Sequence, residues 1–196
     1  MQFSTMELRE AIRAEREATF FRLRGGYPVP LAGGVWWGLL GLAGYRLDRH
    51  EWIMLAFFTS GLIFPLAVLF GRIFRVNFMG DKTALSDLLV PMLVSMALFW
   101  PVAFSAFWSA PELVPLVMAT GMSVAWPVMG WTYGRTVIFT AHAAVRAVVC
   151  FGIWNWVPSG RFTLLPLAVS GIYLVTVVAV WVGSSPGKQK VIQGVA

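Results

Sequence analysis

The sequence predicts an all-α integral membrane protein, a six-transmembrane-helix bundle preceded by an N-terminal amphipathic helix. Three observations lead there. Of the 196 residues, 58% are hydrophobic and only 12% charged, against the roughly 25% usual for a soluble domain. A water-soluble chain of that makeup would leave large apolar patches facing solvent. Six apolar runs follow one another with mostly short links, and none alternates in polarity as barrel strands do. The ten Trp suit a chain that meets two membrane–water boundaries.

The first 26 residues form the amphipathic unit. Ser4 and Glu7 have the spacing of a capping box, in which each side chain satisfies the other's backbone N–H. Leu8, Ala11, Ile12, Ala18 and Leu23 fall near one face, and Gly25 and Gly26 end the helix. Such a helix lies on the membrane surface or packs on the ends of the others. It is charged and has no continuous apolar core, so it does not read as a cleavable signal peptide.

Residues 27–183 carry the six runs, at about 29–45, 52–70, 85–108, 113–131, 136–156 and 163–182. Each is near the roughly 20 residues that cross about 30 Å of hydrocarbon, the first being short. The links 46–51, 109–112 and 157–162 pair them into three hairpins, and residues 184–196 form a loose tail. Orientation follows from the basic residues. Arg9, Arg13, Arg16, Arg22, Arg24, Arg72, Arg75, Lys82, Arg135, Lys188 and Lys190 fall on one side; Arg46, Arg49 and Arg161 fall on the other. The richer side is cytoplasmic, which places both termini inside. Trp52, Trp108, Trp154 and Trp156 then fall near the outer boundary, with Trp131 and Trp181 near the inner one. The net charge of +6 reads as topology and contact with anionic lipid, and no nucleic-acid partner is expected.

Arg146 is the residue most suggestive of chemistry. It sits near the middle of the fifth run, where a charge costs roughly 2.5–3.5 kcal/mol or more. It must face the bundle interior, a hydrated cavity or a partner. His142 precedes it by one turn and Arg135 by three, toward a similar side, with Thr140 and Cys150 nearby. Asp87, at the start of the third run, reads first as a carboxylate at the positive end of its own helix; it is also the first candidate partner for Arg146, or for Arg135. Together Arg146, His142, Arg135 and Asp87 outline a substrate or ion path. A purely structural Arg, fixing the bundle, is the competing account.

Pro65, Pro91, Pro101, Pro115, Pro127 and Pro166 lie within the runs and can kink them. Leu89-Val90-Pro91 with Trp100-Pro101-Val102 is echoed by Leu113-Val114-Pro115 with Trp126-Pro127-Val128, a pattern consistent with a degenerate duplication. Gly34, Gly38 and Gly41 share a face and suit tight helix packing or self-association into a homo-oligomer. Two distant histidines and a lone Cys150 make no metal site, and no cofactor-binding or hydrolase motif is present. No cofactor is expected.

The stretch Gly61–Val76 (GLIFPLAVLFGRIFRV), with the loop to Lys82 and the long third run, resembles a family of small bacterial multi-pass membrane proteins of unknown function. The resemblance implies a multi-pass architecture and a bacterial origin and transfers no site; the expected location is the bacterial inner membrane. The expected function is a small transporter or channel-like protein for an unspecified ion or small molecule, with a polar path near Arg146. The rivals are a non-transporting assembly or regulatory subunit and a lipid-modifying membrane enzyme.

Overall fold

The computed structural model describes residues 4–77, 80, 83 and 85–184; Lys82 and the tail beyond Ser184, with Lys188 and Lys190, lie outside them. Every regular element among the described residues is helical.

Helix α1 spans Thr5–Arg22. Its capping box is formed: Ser4 N donates to Glu7 Oε2 at 2.7 Å, and Glu7 N donates to Ser4 Oγ at 3.2 Å. The chain covers only the end of α1. Thr19 and Phe20 are buried, whereas Met6 and Leu8 are exposed. Arg16 Nε donates to the Trp131 carbonyl, and its guanidinium lies 4.5 Å over the Trp131 ring. The following turn, Arg24, Gly25 and Gly26, has φ values of 48°, 68° and 64°. A Cβ on Gly26 would lie 2.6 Å from Tyr133 Oη, and one on Gly25 2.1 Å from Val180. Backbone conformation and space both call for glycine at these two positions.

Helix α2 covers Pro28–Ala43, 16 residues. Its first-turn prolines cost no hydrogen bond, because those N–H groups have no helical partner. Next come α3 (Arg49–Thr59) with α4 (Ile63–Ile73), α5 (Leu89–Ala97) with α6 (Trp100–Ser109), and α7 (Val114–Gly121) with α8 (Trp126–Thr132). The last two are the unbroken α9 (Thr136–Trp156) and α10 (Leu164–Gly183). Five stretches among the described residues are long and apolar enough to cross a membrane: Arg49–Ile73, Ser86–Ser109, Pro111–Thr132, Thr136–Trp156 and Leu164–Gly183. The count is five because α2, the short first run, extends only about 24 Å at 1.5 Å per residue. These helices are compatible with a multi-pass membrane protein.

The prolines divide into two groups. Pro65, Pro101 and Pro127 each sit near the start of a second half-helix, just after a break in the span. The proline ring collides with the carbonyl four residues earlier and removes a donor, so the helix interrupts there. Pro91, Pro115 and Pro166 lie in first turns and are accommodated without a break. The two repeated sequence patterns thus give the same local build, a half-helix, a break and a second half-helix opening on Trp-Pro.

Helix α2 packs most extensively on α10 and also against α4, while α9 packs against α7, α8 and α10. Outward apolar side chains are left bare: Phe58, Leu98, Val137, Val148 and Val175 are all largely exposed. That is the surface lipid would solvate. At the end opposite α1, Asp48 and Glu51 form a second capping box, Arg49 pairs with Glu112 at 2.8 Å, and Arg161 Nε donates to the Trp154 carbonyl at 3.0 Å. Trp52, near the start of α3 at this end, faces inward rather than outward. It is fully buried, with its indole N–H donating to the Leu40 carbonyl at 2.8 Å.

Candidate functional site

The inner face of α9 is Phe139, His142, Arg146 and Cys150, all buried. Spacings of three and four residues bring them to one side of a helix. Arg146 has no exposed surface. Its Nη1 donates to Tyr173 Oη on α10 at 2.7 Å. The guanidinium carbon lies 5.0 Å from the Tyr173 ring and 5.3 Å from the Trp37 ring of α2, both within cation–π range. Its Nε and Nη2 have no hydrogen-bond partner, and neither has Trp37 Nε1. Among the described residues, no ion pair joins Arg146 to a carboxylate.

His142 extends the same cluster. Its Nδ1 is 2.8 Å from Thr176 Oγ1, and that hydroxyl donates to the Ile172 carbonyl at 2.9 Å. The single hydroxyl hydrogen is therefore used, so Thr176 accepts from Nδ1–H. In the neutral ring Nε2 is then an acceptor, and it too is without a partner. Trp126 closes the site from α8. Its ring stacks on Phe139 and lies 5.0 Å from His142 and 5.6 Å from Tyr173.

Two glycines of α2 make room for the tyrosine that holds Arg146. A Cβ on Gly33 would sit 2.9 Å from Tyr173 Cζ, and one on Gly34 3.2 Å from Tyr173 Cβ. Farther along, Gly38 faces Ser170 and Gly41 faces Leu167, and Ser170 Oγ donates to the Gly34 carbonyl at 2.7 Å. Gly34, Gly38 and Gly41 are thus occupied within one chain, by α10.

Of the four expected path residues, Arg146 and His142 come together and the other two stand apart. Arg135 precedes α9, eleven positions and about 16 Å of helix from Arg146. Its guanidinium lies 4.1 Å over the Phe20 ring, and Nη1 donates to the Gly134 carbonyl. Asp87 is exposed in the 3₁₀ turn before α5. The expectation that it partners Arg146 fails: the contact goes to a neutral phenol on the adjacent helix. Thr140 is exposed, on the opposite side of α9. No group of three metal-ligating side chains occurs among the described residues. Trp37, Trp126, Tyr173 and Thr176 complete the site; the sequence names Trp126 only within a repeated Trp-Pro pattern and the others not at all. The one available signal was two polar-tipped residues, Tyr173 and Thr176, in mid-run.

The arrangement carries a permanent positive charge without a negative one. Guanidinium does not deprotonate, and an unpaired buried charge costs several kcal/mol. One phenol and two π faces offset part of that. The three unused donor nitrogens on Arg146 and Trp37 are suited to an anion with acceptor atoms, whereas the His142 Nε2 acceptor calls for a donor hydrogen. No curated protein and no solved structure matches the chain. A family model does match, over residues 12–183, and the chain therefore belongs to a family of unknown function, DUF7010.

Proposed function

We propose that this chain is a transporter or channel-like protein of a bacterial inner membrane that binds a small anionic solute at Arg146. One observation carries the reading: Arg146 is wholly buried, bonded only to a neutral hydroxyl, with Nε and Nη2 unpartnered. A structural arginine would be expected to spend its donors on carbonyls or a carboxylate. Here the missing acceptor is the solute. Trp126 and Trp37 close the site, so entry requires one of them to move. The break between α7 and α8 immediately precedes Trp126 and supplies a hinge.

The topology belongs to the same reading. Phe20 at the end of α1 lies close to Gly183 at the end of α10. The end of α1 and the end of α10 then share one side, which calls for an even number of crossings between them and makes α2 the sixth. The basic residues put that side in the cytoplasm.

Anion flux into proteoliposomes tests the function, with chloride, nitrate and bicarbonate as probes. Wild type should show saturable uptake of at least one. Arg146→Gln should lower it about tenfold or more with native helicity, and Arg146→Lys should retain part. Absence of uptake of all three, or uptake indifferent to Arg146→Gln, would overturn the reading.

A further inference from the structure

A furrow runs along the outer side of the α9–α10 pair and meets the Arg146 cluster at His142 and Thr176. Its upper part, about 490 Å³, is lined by Phe21, Arg135, Val182 and Gly183 among others. Its lower part, about 470 Å³, reaches Val145 and Ala168. Ile138 and Ala179 line both, so the two parts are continuous. From Arg135 to Val145 is about 15 Å of helix, the depth of one leaflet's hydrocarbon. The floor is made by small residues, Ala141, Ala168, Gly171 and Ala179. A Cβ on Gly171 would meet nothing within 4 Å. His142, 3% exposed and with Nε2 unpartnered, also lines the lower part.

We infer that this furrow is a binding site for an anionic phospholipid of the leaflet on the α1 side. The phosphate sits on Arg135 and one acyl chain follows the furrow. Length and polarity both fit. The walls are apolar over one leaflet's depth, and the only charge on them is at the end where a headgroup would lie. Arg135 is half-exposed, fixed by the Phe20 ring, and spends only Nη1 on the chain, at Gly134. The remaining edge of its fork is free for phosphate oxygens. Arg24, three residues after Phe21, is exposed, while the exposed Arg22 pairs with Glu15 at 3.3 Å; Arg24 and Arg135 leave the local field in favour of a lipid with net negative charge.

Spin-labelled lipids incorporated with the full-length protein test this by the fraction of motionally restricted chains. Phosphatidylglycerol should be restricted about fivefold more strongly than phosphatidylcholine, the effect of one favourable basic contact at the surface. Arg135→Gln should abolish that preference and Arg135→Lys should keep it. Gly171→Leu, which fills the furrow without a clash, should lower the restricted fraction of both lipids. Equal restriction of the two lipids by wild type would overturn the inference. So would an unchanged preference in Arg135→Gln, an unchanged fraction in Gly171→Leu, or cross-linking of two copies through cysteines placed at position 171.

Discussion

Arg146 illustrates how a charge is kept in an apolar interior without a counter-charge. The Tyr173 hydroxyl takes one N–H, and the faces of Tyr173 and Trp37 take part of the field. Tyr173→Phe would leave Nη1 as a third unpaired nitrogen. Loss of a partner for a buried group costs about 1–3 kcal/mol, more when it is charged, so the variant should melt at lower temperature in detergent while keeping its helicity. An unchanged melting temperature would show that the hydroxyl is dispensable. Sequence pointed to Arg146 and His142 because a charge or a lone imidazole in an apolar run stands out energetically. It did not point to Tyr173, Trp37 or Trp126, because in apolar runs aromatic residues are commonplace and their partners are set by helices brought together from distant segments. Asp87 lies in the first turn of its own helix, as its position suggests; its alternative role as a partner for Arg146 fails because opposite charge suggests a pair, but only packing decides whether the two meet.

At the scale of elements, the α2–α10 pair depends on small residues. A Cβ on Gly41 would lie 2.6 Å from Leu167 Cγ, and one on Gly44 2.1 Å from the Phe162 carbonyl oxygen. The Leu167 side chain can turn aside, although its backbone N, 3.1 Å away, must also give slightly; the Phe162 carbonyl cannot yield without a shift of the loop. Gly44→Ala should therefore destabilise more than Gly41→Ala, the latter by about 1–3 kcal/mol as ordinary overpacking, and denaturation of the two variants side by side checks the order. The α1 cap behaves differently. The Ser4 backbone N–H, and then its hydroxyl, hold the Glu7 carboxyl below the usual carboxylate range. A depressed pKa stabilises the folded cap above the ordinary value, and that contribution disappears as pH falls through the lowered one. The protection factors of the first-turn amides of α1, corrected for the intrinsic pH dependence of exchange, should accordingly fall in acid, and Ser4→Ala should lower them about fivefold at neutral pH. The capping box was legible because it needs only local spacing. The interruptions at Pro65, Pro101 and Pro127 were half legible, since proline chemistry is local but its position within a helix is not known until the helix starts are.

For the whole molecule, α1 and the end of α10 meet on one side, and the account requires both termini to be cytoplasmic. Cys150 is fully buried, so a cysteine introduced at Thr5 or Lys190 would be the only thiol open to an impermeant reagent. Neither should label in intact cells, and both should label after permeabilisation; labelling from outside would reverse the topology. Composition alone points to a membrane class, because lipid is the one solvent that tolerates so much bare apolar surface, and the five long apolar helices are compatible with it. The number of crossings was less so, since α2 is shorter than the hydrocarbon is thick. The central claim, that the unpaired nitrogens of Arg146 receive an anion, is tested most directly by ¹⁵N nuclear magnetic resonance of the arginine side chains in bilayers. The Arg146 signals are identified by their loss in Arg146→Gln. The account predicts that these signals, and not those of the other arginines, shift saturably with the anion that supports flux. Arg146 signals that stay fixed across concentrations at which flux saturates would contradict it.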